Sequence, residues 1–141
     1  MTTQATLKAL IADDIENAAT AAQIARAITD AITFYATKRF YFNETRSSTF
    51  VTVAAQSRYT SSDDADIPKF IQLDGMFLVD SSSLIYDLGQ PIDPMLMELL
   101  LDSGASSSRP NEFSWYEQTF AFHPIPDGVY TIRPVGVIKK D

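Results

Sequence analysis

The chain has few residues whose types and spacing suit catalysis. Its one histidine, His123, stands between Phe122 and Pro124, and any Ser/His arrangement would need this side chain as its base. The absence of cysteine removes thiolate nucleophiles and thiolate metal ligands. The five glycines form neither a phosphate-binding loop nor the G-x-S-x-G turn of serine hydrolases. The sequence therefore predicts no enzyme activity, no catalytic residue and no cofactor, and it predicts a structural role for the histidine.

An acidic loop in the first half of the chain is the best match to a cation site. Asp63, Asp64 and Asp66 stand close together there. However, the alternating ligands, the glycine and the distal glutamate of a calcium-binding loop are missing. We therefore predict a solvated loop and no metal site. A carboxylate-dependent hydrolase remains as an alternative, because 18 aspartate and glutamate residues leave many pairs that folding could bring together.

The charge balance argues against binding to nucleic acid. The formal net charge is −7, whereas affinity for a phosphate backbone requires clustered lysine and arginine. The negative charge is interpreted mainly as a means of keeping the protein soluble. A second interpretation applies only if copies of the chain surround a channel through which DNA moves, in which case acidic walls would repel the duplex and let it slide. The sequence contains no leader-like N-terminus and no uninterrupted apolar stretch of about 18 residues, so no membrane location is predicted.

Two helices are predicted in the N-terminal part of the chain, before Phe40. The first covers about residues 6–16. The second spaces four apolar residues at intervals of four, four and three, which places them on one helix face. These candidate subunit-interface residues are Ile24, Ile28, Ile32 and Tyr35. The face is rich in alanine around them, so it would pack closely against another helix or against a neighbouring subunit.

A short Leu-rich helix is predicted near residue 97. Asp93 suits the N-cap, Pro94 the first helical position, and Gly104 the left-handed position after the last turn. The predicted buried face consists of Met95, Leu96, Leu99 and Leu100. Met97 and Leu101 widen the apolar surface beyond one stripe, so we interpret them as candidate contacts with another subunit.

Strand patterns occupy most of the remaining chain and predict an α+β fold. Alternation is found at residues 40–42 and 49–54, and further strands are predicted at 70–78 and 83–88. Residues 119–124 and 129–134 are predicted to form a hairpin around a Pro-Asp-Gly turn. Trp115 and Tyr116 are candidates for either core packing, which we favour for the tryptophan, or a protein or glycan contact. With no repeat and no break in composition, a single domain is predicted over residues 1–141.

The order of five segments resembles the head-tail adaptor (connector) proteins of tailed bacteriophages. An Ile/Ala-rich helix (IARAITDAITFYATKRF) leads into FYFNET and then into STFVTVAAQSRYT. DADIPKFIQLD follows, and SRPNEFSWYEQTFAFHPIPDGVYTI completes the pattern. Together these segments cover most of the chain from about residue 24 to 132. One departure is the loop SGASSS before Arg109 and Pro110, which is longer than a single turn.

The resemblance implies a structural virion protein of the head-tail neck, made in the host cytoplasm. Its fold would be a helical body, formed by the N-terminal helices and the Leu-rich helix, with a small antiparallel β-sheet or hairpin insertion. Such subunits form a ring, commonly of twelve copies, beneath the portal protein. The ring extends the DNA channel, lets DNA pass without specific binding, and offers a docking platform for nozzle, stopper or tail proteins. The alternative is a monomeric phage-associated module that binds protein or glycan.

The C-terminal residues 134–141 have two interpretations. They are either the end of a strand or an extended tail that becomes ordered on the portal. We favour the docking tail, in which apolar side chains act as anchors and two lysines meet an acidic surface. The candidate portal-docking residues are Val135, Val137, Ile138, Lys139 and Lys140.

Overall fold

Strands dominate the structure, a computed structural model that describes residues 5–7, 9–10, 21–104 and 106–139. Within these residues, eight strands form two antiparallel sheets. The strands are β1 (Glu44–Thr45), β2 (Phe50–Val51), β3 (Arg58–Tyr59), β4 (Phe70–Val79), β5 (Ile85–Asp87), β6 (Glu112–Tyr116), β7 (Thr119–His123) and β8 (Thr131–Ile138). An N-terminal helix spans Ala21–Ala36, the Leu-rich helix spans Pro94–Asp102, and a 3-10 turn spans Ile67–Lys69.

The first sheet is built around β8. This strand pairs with β4 on one side and with both β1 and β2 on the other, and β5 extends the sheet beyond β4. The β4–β8 ladder runs from Phe70 opposite Ile138 to Val79 opposite Thr131, with two shifts of register. The predicted strands at residues 70–78 and 83–88 are confirmed as β4 and β5.

The second sheet has the order β3-β7-β6. Glu117 and Gln118 form the turn between β6 and β7, with φ angles of 49° and 58°. Positive φ at both central residues matches the right-handed twist of a two-residue hairpin. The predicted hairpin between residues 119–124 and 129–134 is wrong, because β7 pairs with β6 and β3 whereas β8 belongs to the first sheet.

Aromatic side chains from both sheets form the core. Phe50 from the first sheet lies 5.7 Å from Phe120 and 5.6 Å from Tyr59, measured between ring centroids. The buried cluster also contains Phe113 and Phe122 of the second sheet. Aliphatic side chains of β4 and β8 complete it, namely Met76, Leu78, Ile132 and Ile138. Burial of rings of this size is a large stabilising contribution, since each removes roughly 150–250 Å² from water.

The predicted helical body with a small β insertion is wrong. The chain divides into two compact units, Met1–Lys38 and Arg39–Asp141, and the second unit contains all eight strands and only one α-helix among the described residues. The local helix signals are correct, because a helix spans Ala21–Ala36 and another spans Pro94–Asp102. These helices do not form the body of the fold, because the tertiary contacts of the second unit come mainly from strand pairing and from the aromatic core.

In the first unit, the N-terminal helix buries only part of its predicted face. Ile24 and Ile28 are buried, whereas Ile32 and Tyr35 are 52% and 55% exposed. The earlier predicted helix lies mostly outside the described residues, although residues 5–7 and 9–10 are helical. Leu7 lines a shallow depression together with Ile28 and Ile32, so the two helical segments approach each other. No helix among the described residues has the length and apolar character needed to cross a bilayer.

The C-terminal residues up to Ile138 form the central strand β8 and not an extended tail. Val137 and Ile138 are 1% and 7% exposed, and Val135 is half-buried. These candidate docking anchors are therefore occupied by packing within the subunit. Lys139 follows the strand and is exposed, while Lys140 lies outside the described residues.

Gly136 of β8 is predicted to tolerate no side chain. A Cβ atom at this position would overlap the Gln72 carbonyl oxygen of β4, which is backbone and cannot rotate away. We expect Gly136→Ala to lower the free energy of unfolding by about 1–3 kcal/mol or more.

Gly128 is the matched control, because it has ordinary backbone geometry and open space around its Cβ position. Gly128→Ala should change stability by less than about 0.5 kcal/mol. Urea denaturation measures both, and equal losses would contradict the close approach of β4 and β8.

Candidate functional site

His123 has the surroundings of a structural residue. It ends β7 and precedes Pro124 through a cis peptide bond. Its Nδ1 atom is buried without a hydrogen-bond partner and lies 3.6 Å from Oε2 of Glu112 on the neighbouring strand. The residue facing it across the ladder is a carboxylate.

The acidic loop uses its carboxylates to hold its own backbone. Asp63 accepts hydrogen bonds from the Thr60 amide at 2.7 Å and from the Gln56 side chain at 2.8 Å. Asp66 forms an ion pair with Lys69 at 3.1 Å. Such contacts are typical of turns stabilised by aspartate side chains. Among the described residues, no group of three His, Asp or Glu side chains is arranged to hold a metal ion.

Two clefts of the second unit are open and small. One of about 200 Å³ lies beside Asp74 and Gln90, and one of about 140 Å³ is lined by Arg58, Glu98 and Tyr116. Binding sites for drug-sized ligands usually have about 300–1,000 Å³ and enclose most of the ligand. Arg58 and Glu98 also neutralise each other through an ion pair of 2.5 Å. These clefts therefore do not have the concave, water-excluding form of an ordinary enzyme site.

The Leu-rich helix presents apolar side chains to solvent. Asp93 caps the helix by accepting hydrogen bonds from the amides of Met95 and Leu96, as the sequence predicted. The helix packs against β6 and β7, and Met97 is its one fully buried side chain. The exposed residues are Met95 at 78%, Leu96 at 47% and Leu99 at 65%. We call these three residues the Leu-rich stripe.

The predicted assignment of the two helix faces is therefore wrong. Met97, a candidate interface residue, is a core residue, and Leu101 is half-buried. The predicted core residues Met95, Leu96 and Leu99 are instead exposed. Periodicity identified an apolar helix but could not tell which side meets the sheet, because every helix position from 95 to 101 except Glu98 is apolar.

A second apolar patch is formed by residues 40–42, which were predicted to be a strand. The Phe40 carbonyl oxygen accepts hydrogen bonds from the amides of Asn43 and Glu44, so these residues form a turn. The rings of Phe40 and Phe42 stack with centroids 5.1 Å apart. Tyr41 is 89% exposed and Phe42 is 57% exposed. We call residues 40–42 the aromatic turn.

Hydrogen bonds on both sides hold the aromatic turn in place. The Asn43 side chain is buried and accepts a hydrogen bond from the Phe40 amide at 2.8 Å. Arg39 binds both oxygens of Asp74 on β4, at 2.8 and 2.6 Å, and also binds Glu44 at 2.7 Å. The hydrogen bonds that Arg39 donates to Asp74 and then to Glu44 raise the pKa of Arg39 above its ordinary value. The exposed rings therefore stand on a backbone whose position is well defined.

Of the two aromatic residues singled out in the sequence, Trp115 packs on the core and Tyr116 is exposed. Trp115 packs on the core with its ring centroid 4.6 Å from that of Phe120, in agreement with the interpretation favoured from the sequence. Tyr116 points outward and is 61% exposed. The Arg109 guanidinium lies 3.7 Å from the centroid of the Tyr86 ring, which attaches the loop before β6 to β5.

Comparison of the sequence with protein-family models and with curated proteins found no match. The candidate site is therefore inferred only from this chain, and it consists of the aromatic turn and the Leu-rich stripe.

The two faces of the Leu-rich helix are predicted to respond differently to the same substitution. Met97→Asp should lower the free energy of unfolding by at least about 3 kcal/mol, because it removes a buried side chain and places a carboxylate in an apolar site. Leu99→Asp should change it by less than about 0.5 kcal/mol, since this side chain is exposed. Thermal and urea unfolding measure both variants. A larger loss for Leu99→Asp would mean that the exposed face has been assigned incorrectly.

Proposed function

We propose that this protein acts by binding other proteins, as a ring-forming structural subunit of the type found between the head and tail of tailed bacteriophages. The observation that carries the proposal is the pair of exposed apolar patches, the aromatic turn and the Leu-rich stripe. Single exposed apolar residues are ordinary on protein surfaces. Groups of neighbouring ones usually mark sites of protein association.

The identity of the patches supports a binding role. Met95 is 78% exposed and Tyr41 is 89% exposed. Methionine and aromatic side chains are among those enriched in protein interfaces. The backbone below each patch is held by hydrogen bonds, through the Asp93 cap in one case and Asn43 in the other. A patch with a fixed shape loses less conformational entropy on binding than a mobile one.

The choice of a head-tail adaptor rests on the order of the sequence segments. The segment FYFNET provides the aromatic turn and β1, and DADIPKFIQLD provides the 3-10 turn and the first half of β4. These two segments therefore lie in the unit that carries both patches, whereas the Ile/Ala-rich helix belongs mainly to the first unit. The corrected fold class lends the resemblance no support, so the proposal depends on the segment order and on the surfaces.

As an adaptor, the protein would form a ring of about twelve copies below the portal protein, in the neck of the virion. It would receive a nozzle, stopper or tail protein on its other side, and DNA would pass through the ring. The net charge of −7 suits this role, because a negative wall does not hold a phosphate backbone. The function would be mechanical, without turnover and without a cofactor.

A monomeric glycan- or protein-binding module is the second candidate. Tyr116 favours it, since this exposed ring borders the open cleft that contains Arg58 and Glu98. An aromatic ring beside charged groups can stack on a sugar and bind its hydroxyl groups.

We predict that the purified protein forms a ring when it is mixed with the portal protein of the same genome. Multi-angle light scattering of each protein and of the mixture gives the masses, and electron microscopy gives the symmetry. The expected result is a complex with one adaptor ring per portal ring. Tyr116→Ala is the matched control, because loss of this exposed ring should leave the complex unchanged.

A protein that stays monomeric with the portal protein would overturn the adaptor proposal. In that case, loss of binding to a glycan or protein ligand in Tyr116→Ala would favour the monomeric module.

A further inference from the structure

We propose that the aromatic turn of one copy of this chain packs on the Leu-rich stripe of the next copy. This inference rests on the proposed function and specifies the contact that builds the ring. It commits both patches to a second copy of the chain, and it leaves other surfaces for the portal protein.

The two patches lie in different parts of the β unit. The aromatic turn precedes β1, at the edge of the first sheet, whereas the Leu-rich helix packs on β6 and β7 of the second sheet. Tyr41 and Met95 are both largely exposed, so neither patch covers the other within one subunit. A contact between two different surfaces is heterologous, and it generates a closed ring when the rotation between copies closes.

The charge around the Leu-rich stripe is negative. The helix and its cap contain Asp93, Glu98 and Asp102, and they contain no lysine or arginine. Glu98 is paired with Arg58, and Asp93 caps the helix, but Asp102 is exposed in the last turn. The C-terminal end of a helix already has a partial negative charge, which favours a cation and disfavours a carboxylate. A positive side chain near the end of this helix would therefore be favourable, and the proposed contact supplies it from a neighbouring copy.

The aromatic turn lies beside such a side chain. The Ile138 amide donates a hydrogen bond to the Asn43 carbonyl oxygen, so Lys139 follows at the same end of the sheet as the turn. Lys139 is exposed. Two other cations of this region are already paired within the subunit, Lys69 with Asp66 and Arg39 with Glu44 and Asp74. We assign Lys139 to Asp102 of a neighbouring copy.

The side chains of the two patches are also suited to each other. Leu96 and Leu99 are three residues apart, and Met95 and Leu99 are four apart, so the three form one ridge on the helix. Tyr41 and Phe42 present two rings at nearly right angles, with centroids 5.6 Å apart. A methionine sulfur at the edge of an aromatic ring is a favourable contact. In the proposed contact, the ridge packs against the exposed faces of the two rings, and Asp102 pairs with Lys139.

Cysteine cross-linking tests the contact directly, because the chain has no cysteine of its own. Tyr41→Cys and Leu99→Cys are made as separate variants and treated with a short bismaleimide, alone and mixed, with the portal protein present. We expect a cross-linked pair in the mixture and little in either variant alone. Leu84→Cys replaces Leu99→Cys in the control, since Leu84 is a leucine of similar exposure in the β4–β5 hairpin.

Charge reversal provides a second and independent test. Asp102→Lys and Lys139→Asp should each weaken self-association by about two- to five-fold, because each variant places like charges together. The double variant should restore the wild-type value. Leu99→Ala should weaken self-association by about ten-fold, as expected for a central apolar contact, whereas Leu84→Ala should leave it unchanged.

The outcomes separate this inference from the proposed function. Suppose that a ring forms on the portal, but that the Tyr41→Cys and Leu99→Cys variants give no cross-link and double charge reversal gives no rescue. That result would overturn the contact while leaving the adaptor proposal in place. A chain that never associates would overturn both.

Discussion

The pairing of β4 with β8 is the constraint on which the rest of the β unit depends. β8 lies between β4 and the short strands β1 and β2, so it connects the segment after the N-terminal helix to the C-terminal end of the unit. Gly136 allows the two long strands to approach closely where their register shifts. The same pairing turns Met76, Leu78 and Ile132 toward the second sheet, where the aromatic side chains cover them.

The aromatic core in turn determines which apolar residues stay outside. The rings of Phe50, Tyr59 and Phe120 occupy the space between the sheets, and the Leu-rich helix inserts only Met97 fully. The remaining apolar side chains of that helix are left partly or largely exposed. Contact between these apolar side chains and water is unfavourable for a monomer. Covering the stripe in an assembly would remove that unfavourable contact.

Hydrogen bonds hold the backbone of both patches in place. The Arg39 contacts with Asp74 and Glu44 fasten the aromatic turn to the first sheet, and the Asp93 cap fixes the start of the Leu-rich helix. Opposite charges accompany the two patches, since Lys139 lies near the turn and Asp102 lies near the stripe. In the proposed contact between copies, these charges would orient the partners and exclude alternative pairings more than they would add affinity.

The sequence by itself determined the elements whose causes are local, and the tertiary structure decided those that depend on distant partners. The helix over residues 21–36 follows from its period, the start of the Leu-rich helix from Asp93 and Pro94, and the strands β4 and β5 from their alternating or apolar residues. The aromatic turn has the alternation of a strand, but the buried side chain of Asn43 and the contacts of Arg39 make it a turn. β8 is central because β4, β1 and β2 all pair with it, whereas the sequence predicted a strand only to residue 134 and favoured a docking tail after it. Strand pairing and burial join residues far apart in the chain, and no local pattern specifies which partner is chosen.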